Sequence, residues 1–443
     1  MSKAATLTKN FGALSVIQAA NFFIPFITLP IIVRIIGPDK FGVLNFLVAV
    51  VTYFILLINY GFDYTATRTI AQNRDDQAIV NKTFSKVLWV KTVLFIVSVA
   101  LFAIMMAFVP QLQREWLVSV LSFAGCIANV LMPNWLFQGM EQLQKAAVFN
   151  LLAKLLFSVA MIVVIRQKQD YWLYALLTSI SQIAVGVALF IYGMRKFHIR
   201  LVATSWKEIT GSLYEDRMVF LSTLMINLYT TSNIVILGFM KPDSEVGIFT
   251  AASRVIGVIQ TLTLMPLSQT LYPHIGKSFA QNREEGLTEV KKVFPVVSLL
   301  ALVIAVILFI TAPLAIHILF GRQFDPAIHV LRLLCINPIF ISISNLLGTQ
   351  TLLNLKNDKA FLVVTAIGSL ACILLNLALI PRYSYYGTAI AWVLTEGLIA
   401  LGMGWMLRRS GISLFDKAYF NLFYLKTIAR KLVKGFRQKL KLS

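Results

Sequence analysis

The chain has 443 residues, of which 58% are hydrophobic and 13% charged, and its mean hydropathy is +0.78. Soluble domains are roughly 45–50% apolar and about 25% charged, so a soluble globular fold is excluded and the chain reads as an all-α polytopic membrane protein. A formal net charge of +21 and a sequence pI of about 9.9 would point to nucleic acid in a soluble protein. In a bilayer protein the same excess marks cytoplasmic loops.

Taken in chain order, the apolar segments are about twelve, each near the roughly 20 residues that a spanning helix needs. Their approximate limits are 11–36, 42–62, 87–109, 116–137, 146–165, 171–194, 218–240, 247–271, 293–320, 328–350, 360–380 and 386–407. The first begins after Lys3 and Lys9 but is too long for a secretory signal. It contains Gln18, Asn21, Pro25 and Pro30, and no small-x-small cleavage site ends it, so it reads as a retained span. Pro25 and Pro30 each remove a backbone donor and predict a bend there; Pro133 predicts a third hinge, at the end of the fourth segment. With the N-terminus inside, the cytoplasmic tails and loops collect roughly 28 Lys and Arg against about 8 outside. Both termini are therefore expected in the cytoplasm. Every outer loop is short, as at 111–115, 166–170 and 381–384, which leaves nothing to fold over a substrate outside the membrane. No Walker lysine motif is present.

The chain carries an internal repeat. Gly37-Pro38-Asp39-Lys40-Phe41-Gly42-Val43 follows the first segment, and Pro242-Asp243-Ser244-Glu245-Val246-Gly247-Ile248 sits at the corresponding junction about two hundred residues on. One segment later, Ala71-Gln72-Asn73-Arg74 is echoed by Ala280-Gln281-Asn282-Arg283. A parallel repeat in a membrane protein is a transporter signature, because two similar bundles can rock about a central site. The expected division is an N-terminal six-helix bundle over 1–200, a C-terminal one over 201–410, and a tail over 411–443. In the tail, Ile428, Leu432 and Phe436 recur every fourth residue among Lys426, Arg430, Lys431, Lys434 and Arg437. That pattern predicts a basic amphipathic helix on the anionic inner leaflet.

Cys126, Cys335 and Cys372 lie inside apolar segments without a spacing motif, and no histidine has a ligand-spaced partner. Neither a disulfide framework nor a metal or cofactor is expected. Ionisable groups within spans are costly and face cavities or partners. Lys91 and Arg332 lie near segment ends and read as snorkelling to the headgroups. Arg254 is roughly 10 Å into the eighth segment at 1.5 Å per residue, and Arg34 ends the first, so they occupy matching places in the two repeats. Together they either converge on a cavity for a phosphate, which the planar guanidinium suits, or reach the outer headgroups separately. Lys154 and Glu396 are mid-segment and either pair or carry a coupling proton; Asp63 and Arg68 lie at the inner end of the second segment. Asn21, Gln138 and the amides Asn227, Asn233, Gln260 and Gln269 either bond a sugar or join helices.

These residues carry a family resemblance. The run Asn10, Gln18, Asn21, Pro25, Pro30, Arg34, Gly37 resembles the first span of polysaccharide flippases of the Wzx type. Tyr60-Gly61-Phe62 with Thr67-Arg68 resembles the end of their second. Pro133-Asn134-Trp135-Leu136-Phe137-Gln138-Gly139-Met140-Glu141 is similar to their P-x-W-x-F-Q-G-x-E pattern, and Val246-Gly247-Ile248-Phe249 leading to Ser253-Arg254 is similar to their eighth helix. Asn59 departs from the pattern, standing where relatives carry an acid. The resemblance implies a fold like that of multidrug and toxic-compound extrusion (MATE) proteins. It implies alternating-access movement of an undecaprenyl-pyrophosphate-linked oligosaccharide to the outer leaflet of a bacterial inner membrane, for O-antigen or a related polysaccharide. Partners implied with it are membrane lipids, a polysaccharide polymerase and a chain-length regulator, with H+ or Na+ as coupling ion left open. Arg34, Arg254, Arg68, Asn21 and Gln138 would bind the cargo. A cation-coupled drug exporter of the same fold is the alternative, but it would line its cavity with acids, which are scarcer than bases in these spans. A membrane enzyme would need a catalytic pair or a large outer loop.

The loop-charge asymmetry generates a direct test. Cysteines placed at Asp75 or Lys277 should stay unlabelled by an impermeant thiol reagent in intact cells and react once the membrane is opened. Labelling in intact cells would overturn the orientation.

Overall fold

The computed structural model describes residues 3–416 and 418–421, with the side chains of 3–23, 25 and 26 left aside. The predicted tail helix therefore lies outside the described residues. Every regular element among the described residues is helical, in the order α1 (Lys3–Asn59), α2 (Phe62–Gln72), α3 (Gln77–Phe108), α4 (Pro110–Arg114), α5 (Trp116–Ala124), α6 (Cys126–Leu131), α7 (Asn134–Gly139), α8 (Leu143–Val164), α9 (Tyr171–Lys196), α10 (Trp206–Met240), α11 (Asp243–Ile259), α12 (Met265–Gln281), α13 (Arg283–Leu319), α14 (Pro326–Leu334), α15 (Asn337–Leu347) and α16 (Asp358–Arg409). In hydrocarbon every backbone polar group must be satisfied within the segment, which a helix does alone.

Ten helical stretches among the described residues are long and apolar enough to cross a membrane. The long helices α1 and α16 contain non-helical backbone, at Gly37 (φ 75°, ψ 175°) and at Ser384 (φ 53°, ψ −133°) respectively. Dividing them there accommodates the twelve segments read from the sequence. The first helix breaks at Gly37 and not at Pro25 or Pro30, through which α1 keeps helical backbone. Glycine adopts a left-handed φ without cost, and Pro38 then restarts the helix where a missing N–H leaves nothing unsatisfied. Pro133 does mark a break, with Met132 at ψ 107° and Pro133 at φ −92°, ψ 53° between α6 and α7.

Two compact units result, Met1–Thr250 with His317–Phe324, and Ala251–Ile316 with Asp325–Ser443. In the first, the connections alternate between two ends. At one end Lys40 pairs with Glu115 at 3.0 Å and Lys168 with Asp39 at 2.8 Å, while Arg114 pairs with Asp243. At the other, Arg74 pairs with Glu141 at 2.8 Å, Lys82 with Glu208 at 2.8 Å, and Gln77 Nε2 donates to the Phe197 carbonyl at 3.0 Å. These are the two sets of loops that the apolar segments separate. The core at the second end packs Phe62, Ile70, Phe84, Trp135 and Phe137 together, with Phe84 and Trp135 ring centroids 5.8 Å apart.

Without a hydrophobic drive between helices in lipid, small residues set how closely they pack. A Cβ on Gly42 would stand 1.7 Å from the Asp243 carbonyl oxygen, and one on Gly247 would stand 2.1 Å from the Pro38 carbonyl oxygen. Each glycine therefore lies on the carbonyl four residues before the other, so the equivalent helices of the two repeats cross about a local two-fold axis. Gly238 likewise admits the Phe46 ring. In the second unit, Gly368 faces Ile399 and Gly348 faces Met403, with the Gly387 backbone closing the reversal at Ser384 against the Leu379 carbonyl.

Gly42→Ala should displace one backbone from the other and destabilise the protein by about 1–3 kcal/mol, the usual cost of overpacking. Gly257→Ala, on α11 with no heavy atom within 4 Å of the added carbon, should be silent in the same detergent melt.

Candidate functional site

Arg34 lies three residues before the Gly37 break and is exposed. Its Nη2 donates to the carbonyls of His317 at 3.0 Å and Ile318 at 2.7 Å, at the C-terminus of α13. Helix ends leave carbonyls without partners and carry partial negative charge, so a guanidinium there is doubly favourable. Gln323 completes the joint by donating to the Val33 carbonyl at 3.2 Å and the Arg34 carbonyl at 3.0 Å. Phe41, Phe320 and Phe324 pack beside it, with centroids 5.5–5.9 Å apart. Arg34 thus has a structural task that its sequence position did not disclose; Nη1 and Nε are not used in these two bonds.

The other two candidates of this unit with described side chains, Arg68 and Gln138, are exposed on neighbouring short helices. Ile70 of α2 fills the space beside Gly139 of α7, 2.6 Å from where a Cβ would be, and Thr67 Oγ1 donates to the Trp135 carbonyl at 3.3 Å. The Arg74 guanidinium holds the Glu141 carboxyl below the usual carboxylate range through their hydrogen bond and charge. The pair therefore persists at neutral pH and is lost only as pH falls through that lowered value. The motif from Pro133 to Glu141 is accounted for: a break, a buried Trp135–Phe137 face, an exposed Gln138 and an ion pair to the Asn73-Arg74 echo. Asn21 lies outside the described side chains, as do Gln18 and Pro25; Pro30 sits half-buried in continuous helix.

Lys91 corrects the sequence reading. It is 2% exposed, with Nζ donating to Asn59 Oδ1 at 2.9 Å and the Asn129 carbonyl at 3.1 Å, so it does not snorkel. Of the three further ionisable candidates, Lys154 and Asp63 are exposed and Glu396 is buried.

In the second unit, Arg254 is exposed on α11 between the buried Ala252 and Val255. Six residues later the helix widens into a π-turn at Gln260–Leu264, and a second π-turn spans Gly348–Leu352; such turns recur at functional sites. Gln350, in the second, donates through Nε2 to Ser268 Oγ at 3.0 Å, just beyond the first. Glu396 accepts from Trp392 Nε1 at 3.3 Å. Arg332 is half-buried, its guanidinium is 5.3 Å from the Phe309 ring centroid, and Nε is enclosed without an acceptor. No group of three His, Cys, Asp or Glu side chains placed to hold a metal occurs among the described residues.

The family model described as "Polysaccharide biosynthesis protein" matches residues 7–279. The chain belongs to that family. It is 30% identical over 394 residues to a protein of Escherichia coli (strain K12) named "Putative O-antigen transporter", covering 89% of this chain and 95% of that one. A Shigella dysenteriae protein of the same name is 27% identical, with 90% and 99% covered. Among solved structures, the lipid II flippase MurJ in an inward closed conformation superposes with TM-score 0.71 at 12% identity, covering 89% of this chain and 87% of that one. An inward-facing MATE family transporter superposes with TM-score 0.69 at 15% identity, covering 88% and 95%. This member of the polysaccharide biosynthesis family thus has the MATE-like fold that its motifs implied, and is a multi-pass membrane protein.

Arg34→Gln should release the α13 terminus and cost about 1 kcal/mol, visible as a lower melting temperature in detergent. Arg34→Lys should recover part of it, because an ammonium still reaches a carbonyl. An unchanged melt for Arg34→Gln would remove the capping role.

Proposed function

We propose that this chain is a transporter that carries an undecaprenyl-pyrophosphate-linked oligosaccharide from the inner to the outer leaflet of a bacterial inner membrane, by alternating access. The observation that carries the reading is the family match over 7–279 together with near-full-length similarity to relatives named as O-antigen transporters. A charged pyrophosphate and a polar glycan cannot enter bare hydrocarbon, whereas a cationic cavity open to lipid accepts the head and leaves the polyprenyl tail outside. In this reading the chain divides into two six-helix bundles within 195–217, a stretch in which α9 and α10 leave only 197–205 as the connection. Arg254 is the principal phosphate ligand in this reading and Arg34 contributes the donors that its capping bonds leave over. Arg68 and Gln138 would meet the glycan. Lys154, Glu396 and Asp63 remain the coupling candidates, with H+ or Na+ as the ion.

Each charge-assisted bond to phosphate contributes about 1.5–3 kcal/mol. Arg254→Gln should therefore lower surface polysaccharide per membrane-inserted molecule tenfold or more and leave the lipid-linked unit inside. Arg254→Lys should retain partial output, because it keeps charge and loses the fork. Arg409→Gln, exposed at the end of α16 beside Trp405, serves as the control and should be near wild type. Normal output from Arg254→Gln would remove the phosphate role.

A further inference from the structure

A lysine ammonium inside a membrane protein needs acceptors for its N–H groups, and the two that Lys91 has found are informative. Asn129 precedes Pro133 by four residues. In a continuous helix its carbonyl would accept the N–H of residue 133, which proline lacks; the Lys91 ammonium takes that place at 3.1 Å. Asn59 is the last residue of α1, immediately before Tyr60 (φ 47°) and Gly61 (φ 91°), a left-handed pair that ends the helix. Its Oδ1 accepts from the same ammonium at 2.9 Å, and its Nδ2 reaches Asn129 Oδ1 at 3.4 Å. One buried cation thus bonds the last turn before each of two chain breaks.

The segments after those breaks, α2 and α7, are packed on each other through Ile70 against Gly139, Thr67 against the Trp135 carbonyl, and Arg74 with Glu141. Asp63, in the first turn of α2, adds an attractive charge to Lys91. We propose that Lys91 is a positioning residue that pins both breaks at one point on α3, so that α2 and α7 move as a single body against α3. The pin is a property of the fold. Its consequence for cargo, through Arg68 and Gln138 on the two short helices, rests on the transport reading above.

The experiment uses the full chain in lipid nanodiscs with pairs of nitroxide labels. Tyr64→Cys with Trp89→Cys reports α2 against α3, and Tyr64→Cys with Asn134→Cys reports α2 against α7. Lys91→Met should broaden the first distance distribution at least twofold, leave the second sharp, and lower polysaccharide output per inserted molecule at least tenfold. Asn59→Asp preserves the acceptor, so with Lys91 present it should keep the first distribution narrow; combined with Lys91→Met it should deepen the loss, because a carboxylate is then enclosed without its cation. If Lys91→Met does not insert, Asn59→Leu, which leaves the ammonium on Asn129 alone, should broaden the first distribution partially. An unchanged first distribution in Lys91→Met or in Asn59→Leu overturns the pin, as does equal harm from Asn59→Asp with and without Lys91. A wild-type chain that moves no lipid-linked glycan would remove the transport reading and leave the distance result standing.

Discussion

Two backbones touch where Gly42 meets Gly247, and much of the first unit is arranged around that contact. Neither helix can carry a side chain there, because each glycine rests on a carbonyl of the other helix. Close backbone approach of this kind brings Cα–H groups onto carbonyl oxygens and maximises dispersion contact, which is what holds helices together where lipid competes for every apolar surface. It also draws the flanking connections into reach of one another. Lys40 finds Glu115, the Lys40 ammonium lies 4.2 Å from the Tyr171 ring centroid, and Arg114 finds Asp243. A two-residue error in the register of either helix would remove the crossing and scatter these partners.

The opposite end of the unit is built on a different device. There the helices are interrupted, at Tyr60-Gly61 and at Met132-Pro133, and the polar groups exposed by interruption are met by side chains. Irregular backbone at membrane depth is tolerated only where protein satisfies it. Tyr60 shows the same economy twice over, stacking on Phe220 at 4.5 Å while its hydroxyl donates to the Leu213 carbonyl at 3.1 Å. The unit thus has a tight backbone crossing just after the Gly37 break at one end and paired, side-chain-supported breaks at the other.

The sequence disclosed more of the crossing than of the articulation. Both glycines stand inside the repeated junction motif, and hydropathy alone placed the segments on either side. The Pro133 break was legible from the rule that proline strips an acceptor of its donor. That rule names Asn129 as the residue left wanting, but only the folded chain supplies the donor, thirty-eight residues earlier in α3. Lys91 was misread because distance from a segment end describes depth, whereas Asn59 and Asn129 are lateral neighbours that depth cannot specify. Pro25 and Pro30 lie in continuous helical backbone, and the residue whose φ ends that helix is Gly37, further on. Arg34 was placed correctly along the chain, but the α13 carbonyls it caps are 283 and 284 residues away.

The reciprocal form of the glycine crossing has a consequence for ancestry. Residue i on one copy meets residue j on the other and j meets i, which is the arrangement that two identical subunits adopt about a dyad. A single ancestral segment bearing Pro-Asp and a following glycine would already have been complementary to a second molecule of itself. The spacing differs by one residue, Pro38 to Gly42 against Pro242 to Gly247, so the residue facing Gly247 is Pro38 and the one facing Gly42 is Asp243, whose carboxylate pairs with Arg114.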